Sequence, residues 1–509
     1  MSGRLQKSML NAKVNLLFFF LSLFFAFFSR RVFLNNLGDE FIGLSGTLGN
    51  ILGYLKLAEM GVGTCICYFL YKPIESKDKQ GIQEILSIIG YLYRIIGTVI
   101  LVAGLIVSLF FPLIFSKTHL GNNIIYFTFY CLLGSSMIGY FINYRQILLA
   151  ADQKKYLVAI YYQSANLAKT AIQIILAYTY KNLFIWVSVE FIFSILGCII
   201  LNWKINKEYP WLRTDKNKGK ILLKKYPGIL NNTKKIFIHS IKDFLMGKSD
   251  ELFIFLFVSL KMVAFYGNYM MIIAKVTTLF KSVLAGVNDG VGNLVAEGNK
   301  ANIMKVFWEL TTIRHFIAGL LCFTIYHFIE PFISLWLGKE YILDHTIIIM
   351  LTIYIYITNS RGVTDTFNHA HGLYADVWAA WTELGINVSI TLIAGYYWGI
   401  KGILLGKLVS LLTIVIIWKP YYLFSSGFKL PVKTYWEGAS RNFAISIISF
   451  IFGTLLLKQV PIQADQGFLS WFIYGIIGVF IYLTINLPLT YLFAKGSKDS
   501  LRRIKYFRR

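Results

Sequence analysis

The sequence predicts an all-α integral membrane protein of about 14 transmembrane helices, set as two six-helix lobes around a central cavity plus two C-terminal helices. Three observations carry that expectation. Hydrophobic residues make up 56% of the chain and charged residues only 15%, against roughly 25% charged in soluble domains. Apolar stretches long enough to cross about 30 Å of hydrocarbon as a helix recur along the whole length. Basic residues gather in alternate connections, as they do on the cytosolic side of multi-pass proteins.

The spans fall at 13–35, 41–71, 84–114, 124–150, 156–179, 183–203, 229–259, 264–295, 304–335, 346–368, 377–398, 402–423, 437–457 and 468–493. The first runs into Arg30-Arg31 with no small-residue cleavage site, so it reads as an anchor rather than a removable signal. The second and eighth are too long for a simple crossing and rich in glycine, including Gly43, Gly46, Gly61, Gly63, Gly286 and Gly290, which predicts a bend or an extension past the bilayer. The connection from Lys204 to Pro227 is the one substantial break, with six spans before it and eight after. The domain plan is therefore an N-lobe over 1–203, a basic cytosolic connection over 204–227, a C-lobe over 228–424, two added spans over 425–494 and a basic tail over 495–509.

Orientation follows from charge. The connection 204–225 carries eight basic and two acidic residues, and the tail 495–509 seven and one. The opposite set of connections carries only Lys117, Lys181, Lys261, Lys339, Lys401 and Lys458. Both termini are thus expected in the cytosol. The net charge of +25 is read as attraction to anionic headgroups, not to nucleic acid. External connections of about 10 residues or fewer leave no room for a catalytic domain, which argues against a membrane glycosyltransferase or polymerase.

Arg30, Arg31, Lys56, Arg94, Lys169, Lys242, Lys248, Lys275, Lys281 and Arg314 all fall within apolar spans. A cation at the bilayer centre costs roughly 2.5–3.5 kcal/mol on insertion scales, so these residues must line a wet cavity or pair internally. A wet, positive interior implies a path for a bulky anion. Arg30 and Arg31 are the first candidates for phosphate contact; neighbours on a helix point about 100° apart, so one of them faces inward. Lys56, Lys242, Lys275, Lys281 and Arg314 are candidate cavity residues, with Glu59 as a structural partner three residues from Lys56. Asp243, Asp250, Glu383 and Asn387 are candidates for a coupling proton or sodium ion. No cofactor or metal is expected: Cys65-x-Cys67 and His369-x-His371 lack further ligands at metal spacing, and no phosphate-binding glycine loop is present.

The stretch from Arg30 to Pro73, RRVFLNNLGDEFIGLSGTLGNILGYLKLAEMGVGTCICYFLYKP, resembles the N-terminal signature of the Wzx-type polysaccharide flippases, the polysaccharide branch of the multidrug/oligosaccharidyl-lipid/polysaccharide exporter superfamily. Ordered resemblances follow in YRQILLAADQKKY, SDELFIFLFVSLKMVAFYGNYMMI, VGNLVAEG, FISLWLGKEY and GIKGILLGKLVS, spanning about residues 10–435. The resemblance implies a 14-helix, two-lobed carrier that moves undecaprenyl-diphosphate-linked oligosaccharide between leaflets by alternating access, for capsule, exopolysaccharide or O-antigen synthesis. It favours Arg30 as the inward member of its pair. It also implies partners such as a polymerase and assembly proteins; a monomer is expected. A small-molecule exporter of the multidrug branch, a peptidoglycan-precursor flippase and a non-transporting scaffold are the alternatives. A positive cavity counts against organic cations as cargo, and a scaffold has no need of so many buried cations.

Overall fold

In the computed structural model, the described residues are 2–373 and 376–497; side chains are described except at 2–9, 281–290 and a few further helical positions, among them Lys242 and Asp243. Helices account for nearly all of it. They are α1 (Ser2–Leu37), α2 (Asp39–Leu55), α3 (Val62–Glu75), α4 (Lys79–Ser108), α5 (Asn122–Phe141), α6 (Ser164–Thr179), α7 (Leu183–Glu208) and α8 (Gly228–Phe257). The series continues with α9 (Leu260–Ala296), α10 (Lys300–Trp336), α11 (His345–Ser360), α12 (Gly362–Ala370), α13 (Val377–Trp398), α14 (Ile400–Ser410), α15 (Lys433–Leu457) and α16 (Phe468–Phe493). Taking α2 with α3 and α11 with α12 as single passages, the expected 14 follow one another in order. Ten of the described helices are long and apolar enough to cross a membrane.

The helices form because hydrocarbon offers the backbone no other hydrogen-bond partner. Their outward faces are apolar: Phe24, Leu105, Leu109, Ile199, Phe472 and Phe480 are all exposed. The starts are fixed by side-chain caps. Asp78 accepts from the Gly81 amide at 2.9 Å, Asn182 from the Phe184 amide at 2.9 Å, Asn299 from the Asn302 amide at 3.1 Å and Asp344 from the Thr346 amide at 2.8 Å.

The two over-long spans resolve differently. The second breaks at a 3-10 turn, Lys56–Glu59, followed by Gly61 at φ +86°, a left-handed conformation that glycine adopts without a Cβ clash. The eighth is one unbroken helix, α9, of 37 residues, about 55 Å and so longer than the hydrocarbon is thick.

Two compact units make up the chain, one of residues 1–255 and 259–264, the other of 256–258 and 265–509. Helix α8 falls in the first of these units up to Phe255. Two sets of contacts hold it and the connection before it there. Helix α8 packs into the first unit, with the Phe244 ring over Gly53 and the Ile229 carbonyl accepting from Cys65 Sγ at 3.3 Å. The connection 204–227 is also no free tether, because it folds back along the first turns of α4. Gln83 donates to the Trp211 carbonyl at 3.0 Å, Ser87 Oγ accepts from the Asp215 amide at 3.0 Å, and Glu84 takes both Lys225 at 2.6 Å and the Tyr226 hydroxyl at 2.8 Å.

In the second unit, α13 and α14 form a tight helical hairpin. Gly402 and Gly406 lie four apart on α14, the spacing that lets membrane helices approach closely. A Cβ at Gly402 would fall on the Ala394 carbonyl, and one at Gly406 on Thr391 Oγ1. Replacing Gly402 by Val therefore overpacks the hairpin, at a cost of about 1–3 kcal/mol, and should lower the unfolding temperature of the purified protein in detergent. Gly49→Ala, where a Cβ meets nothing within 4 Å, should leave that temperature unchanged.

Candidate functional site

In the first unit, the two arginines that end the first apolar run point apart. Arg30 is half-buried and donates from Nη2 to the Ala264 carbonyl at 3.0 Å, while Arg31 is exposed. Lys56, half-buried, opens the 3-10 turn after α2. No ion pair within 4.0 Å joins it to Glu59 among the described residues. The Glu59 carboxylate is occupied by tyrosines instead: Tyr140 donates to it from α5, and Tyr93 from α4 at 3.5 Å. Hydroxyl donors thus satisfy this half-buried carboxylate.

A second polar seam runs between α2 and α8. Asn50 donates from Nδ2 to Glu251 Oε2, and Asp250 beside it is buried. The hydroxyls of Thr47 and Ser249 are buried there without a hydrogen-bond partner among the described residues. Lys248, one turn along, is exposed. Lys242 and Asp243 lie outside the described side chains, as does Lys281 on α9.

In the second unit, Lys275 on α9 and Arg314 on α10 are both half-buried. The Arg314 guanidinium lies against the start of α12, where a Cβ on Gly362 would strike it. Glu383 and Asn387, 2% and 1% exposed, share one face of α13. Asp250 belongs to the first unit and these two residues to the second.

Sequence reasoning passed over Lys407, which is 3% exposed on α14 with its ammonium 4.9 Å above the Tyr354 ring of α11. The signal that could have found it is the small-residue pair Gly402 and Gly406 just ahead, which marks that part of α14 as packed rather than lipid-facing. The two tyrosines on Glu59 left no signal, because they come from helices about 34 and 81 residues away.

The second unit also holds an apolar cavity of about 610 Å³ between α10, α11, α15 and the π-helical turn at 411–418. Its mouth is made of lipid-exposed Ile353, Leu412, Phe443 and Ile447. Its floor is polar: Nδ1 of His315 lies 2.8 Å from the Tyr356 hydroxyl, which donates to Ser446 Oγ at 3.3 Å. Gly319 keeps that floor open, since a Cβ there would meet Ser446 and the Tyr482 hydroxyl.

Among the described residues no three of His, Cys, Asp and Glu come together to hold a metal ion. His369 is exposed, and His371 is engaged through Nδ1 with the Phe367 carbonyl at 2.9 Å while its ring packs on Phe428.

Together these features define an all-α, multi-pass membrane protein with polar and charged side chains gathered inside its helical units. No protein-family model matches the sequence, and neither does any curated protein. Among solved structures, the chain is similar over 92% of its length to 98% of the lipid II flippase MurJ in an inward closed conformation, with 15% identity and a TM-score of 0.65. It is also similar over 83% of its length to 99% of an inward-facing multidrug resistance MATE family transporter of the MOP superfamily, with 14% identity and a TM-score of 0.61. At these identities the likeness is one of fold.

If the half-buried cations line water, single cysteines at Arg30, Lys56 and Lys275 should react with a membrane-impermeant thiol reagent in a variant lacking the five native cysteines. Failure at all three, with Lys117→Cys in an exposed connection reacting as a positive control, would remove the aqueous path.

Proposed function

We propose that this chain is a flippase that carries undecaprenyl-diphosphate-linked oligosaccharide from the inner to the outer leaflet of a bacterial cytoplasmic membrane. The single observation that carries the reading is the coexistence of two opposite environments within membrane-spanning helices. Half-buried cations sit on α1, α9 and α10, and an apolar cavity with a lipid-exposed mouth opens between α10, α11 and α15. A lipid diphosphate asks for both at once, cations for its head and a greasy slot for its tail. A free organic cation asks for neither: like charge repels it, and it has no tail to accommodate. Crossing hydrocarbon unaided would leave the diphosphate uncompensated, which is the cost a carrier removes. Arg30, at the inner face of α1, is the group we assign to the phosphate, because a guanidinium fork matches its oxygens bidentately.

A second reading, a flippase for the peptidoglycan precursor, is favoured by the similarity in fold to the lipid II flippase. Its diphosphate asks for the same cations, so only the glycan separates the two.

The test measures lipid-linked intermediates in cells that lack the protein. Full-length glycan intermediate should build up several-fold on the inner leaflet, fall to normal with the wild-type copy and stay high with Arg30→Ala. Build-up of a peptide-bearing precursor instead selects the second reading. Normal export in a strain with no redundant carrier ends both.

A further inference from the structure

Three cations meet where the connection 204–227 runs along the middle of α4 and past the end of α5, and among the described residues all their hydrogen-bond partners are neutral. Lys216 donates from Nζ to the Phe141 carbonyl at 2.7 Å and lies 4.8 Å above the Tyr144 ring. Arg94 donates to Asn217 Oδ1 at 3.1 Å. Arg145 donates to Asn206 Oδ1 at 2.9 Å and to Asn202 Oδ1 at 2.8 Å. Gly90 fixes their convergence. A Cβ there would touch both the Lys216 stem and the Tyr144 ring, and Arg94 is one turn further along α4. The nearest carboxylate in sequence, Asp215, turns away to accept from the Asn217 amide at 3.0 Å and to face Lys218 at 4.0 Å.

Like charges brought together repel, and this cluster is partly desolvated. The Lys216 ammonium shows the consequence: burial, then the charges of Arg94 and Arg145, hold it below the usual lysine range. A structural cluster would have recruited an acid, as Lys154 does with Asp152 at 2.6 Å and Glu208 at 3.0 Å in the same unit. This one keeps its donors: each guanidinium has five N–H groups, of which the bonds above use one in Arg94 and two in Arg145. Arg94 is exposed and the other two are half-buried, so a ligand from the aqueous or headgroup side can reach them.

We propose that Arg94, Arg145 and Lys216 form a binding site for a phosphate or diphosphate group, separate from Arg30, on the face of the first unit that carries the connection 204–227. The group comes from a lipid headgroup or from a soluble phosphate; the chemistry that recognises it is the same. The connection supplies one of the three cations, so an occupied site pins it to α4 and α5. The proposal stands whichever lipid the chain carries, and its failure would leave the flippase reading untouched.

The test follows the unfolding temperature of the purified full-length protein with pyrophosphate as the probe. Wild type should gain several degrees in millimolar pyrophosphate, and less in inorganic phosphate. Arg94→Gln/Lys216→Gln should lose that gain, and without anion should melt no lower than wild type because the repulsion is gone. Arg145→Lys, which keeps the charge, and Lys218→Gln, which lies outside the cluster, should both keep the gain. Repeating the series in nanodiscs identifies the source. If phosphatidylglycerol bilayers raise the wild-type temperature and cancel the pyrophosphate response while phosphatidylcholine does not, the ligand is a lipid headgroup; if the response persists in both, it is a soluble phosphate. The site is overturned if neither pyrophosphate nor phosphatidylglycerol shifts wild type, if the double variant responds equally, or if it melts well below wild type without anion.

Discussion

The structure depends on one constraint: inside hydrocarbon there is no water to satisfy a polar group. Backbone amides meet it by forming helices almost without interruption. Side chains have no such general solution, and several embedded polar groups take a partner from another helix. Glu59 finds two tyrosines, Glu251 an asparagine and Gln173 the Trp186 carbonyl at 3.1 Å. These contacts hold helices together where the hydrophobic effect does not, since lipid is as apolar as the helices themselves.

Charge balance sets the second level of organisation. The chain has 50 basic residues and 25 acidic ones, so half of its cations cannot be neutralised internally. Some pair closely, such as Lys169 with Glu190 and Lys419 with Asp376, each at 2.7 Å. Others rest on neutral oxygens among the described residues: Lys216 on the Phe141 carbonyl, and Arg145 on two asparagines. Neutral acceptors orient a cation without cancelling its charge, so it stays available to an anion.

The apolar cavity of the second unit supplies the complementary property. Its mouth is lined by side chains that face lipid, and the chain of buried His315, half-buried Tyr356 and buried Ser446 limits its depth. An apolar slot that opens to the bilayer costs little to fill with a hydrocarbon chain, because the chain leaves one apolar medium for another.

The helix positions were legible in the sequence because crossing hydrocarbon demands a minimum length of apolar residues, a purely local requirement. The break in the second span was legible for the same reason, since Gly61 and its neighbours weaken a helix wherever they stand. Which cations pair, and with what, was not legible. Gln83 and Trp211 are 128 positions apart, Arg30 and Ala264 are 234, and no periodicity links residues that meet only when helices pack. The connection 204–227 shows the difference most clearly. Its composition marked it as a charged linker, but packing against α4 made it part of the first unit, carried α8 with it and brought Lys216 to Arg94 and Arg145. Local chemistry therefore determined that this is a helical membrane protein rich in embedded cations. Tertiary packing decided which cations stay free to meet an anion, because only the fold determines whether the nearest oxygen belongs to a carboxylate or to a neutral group.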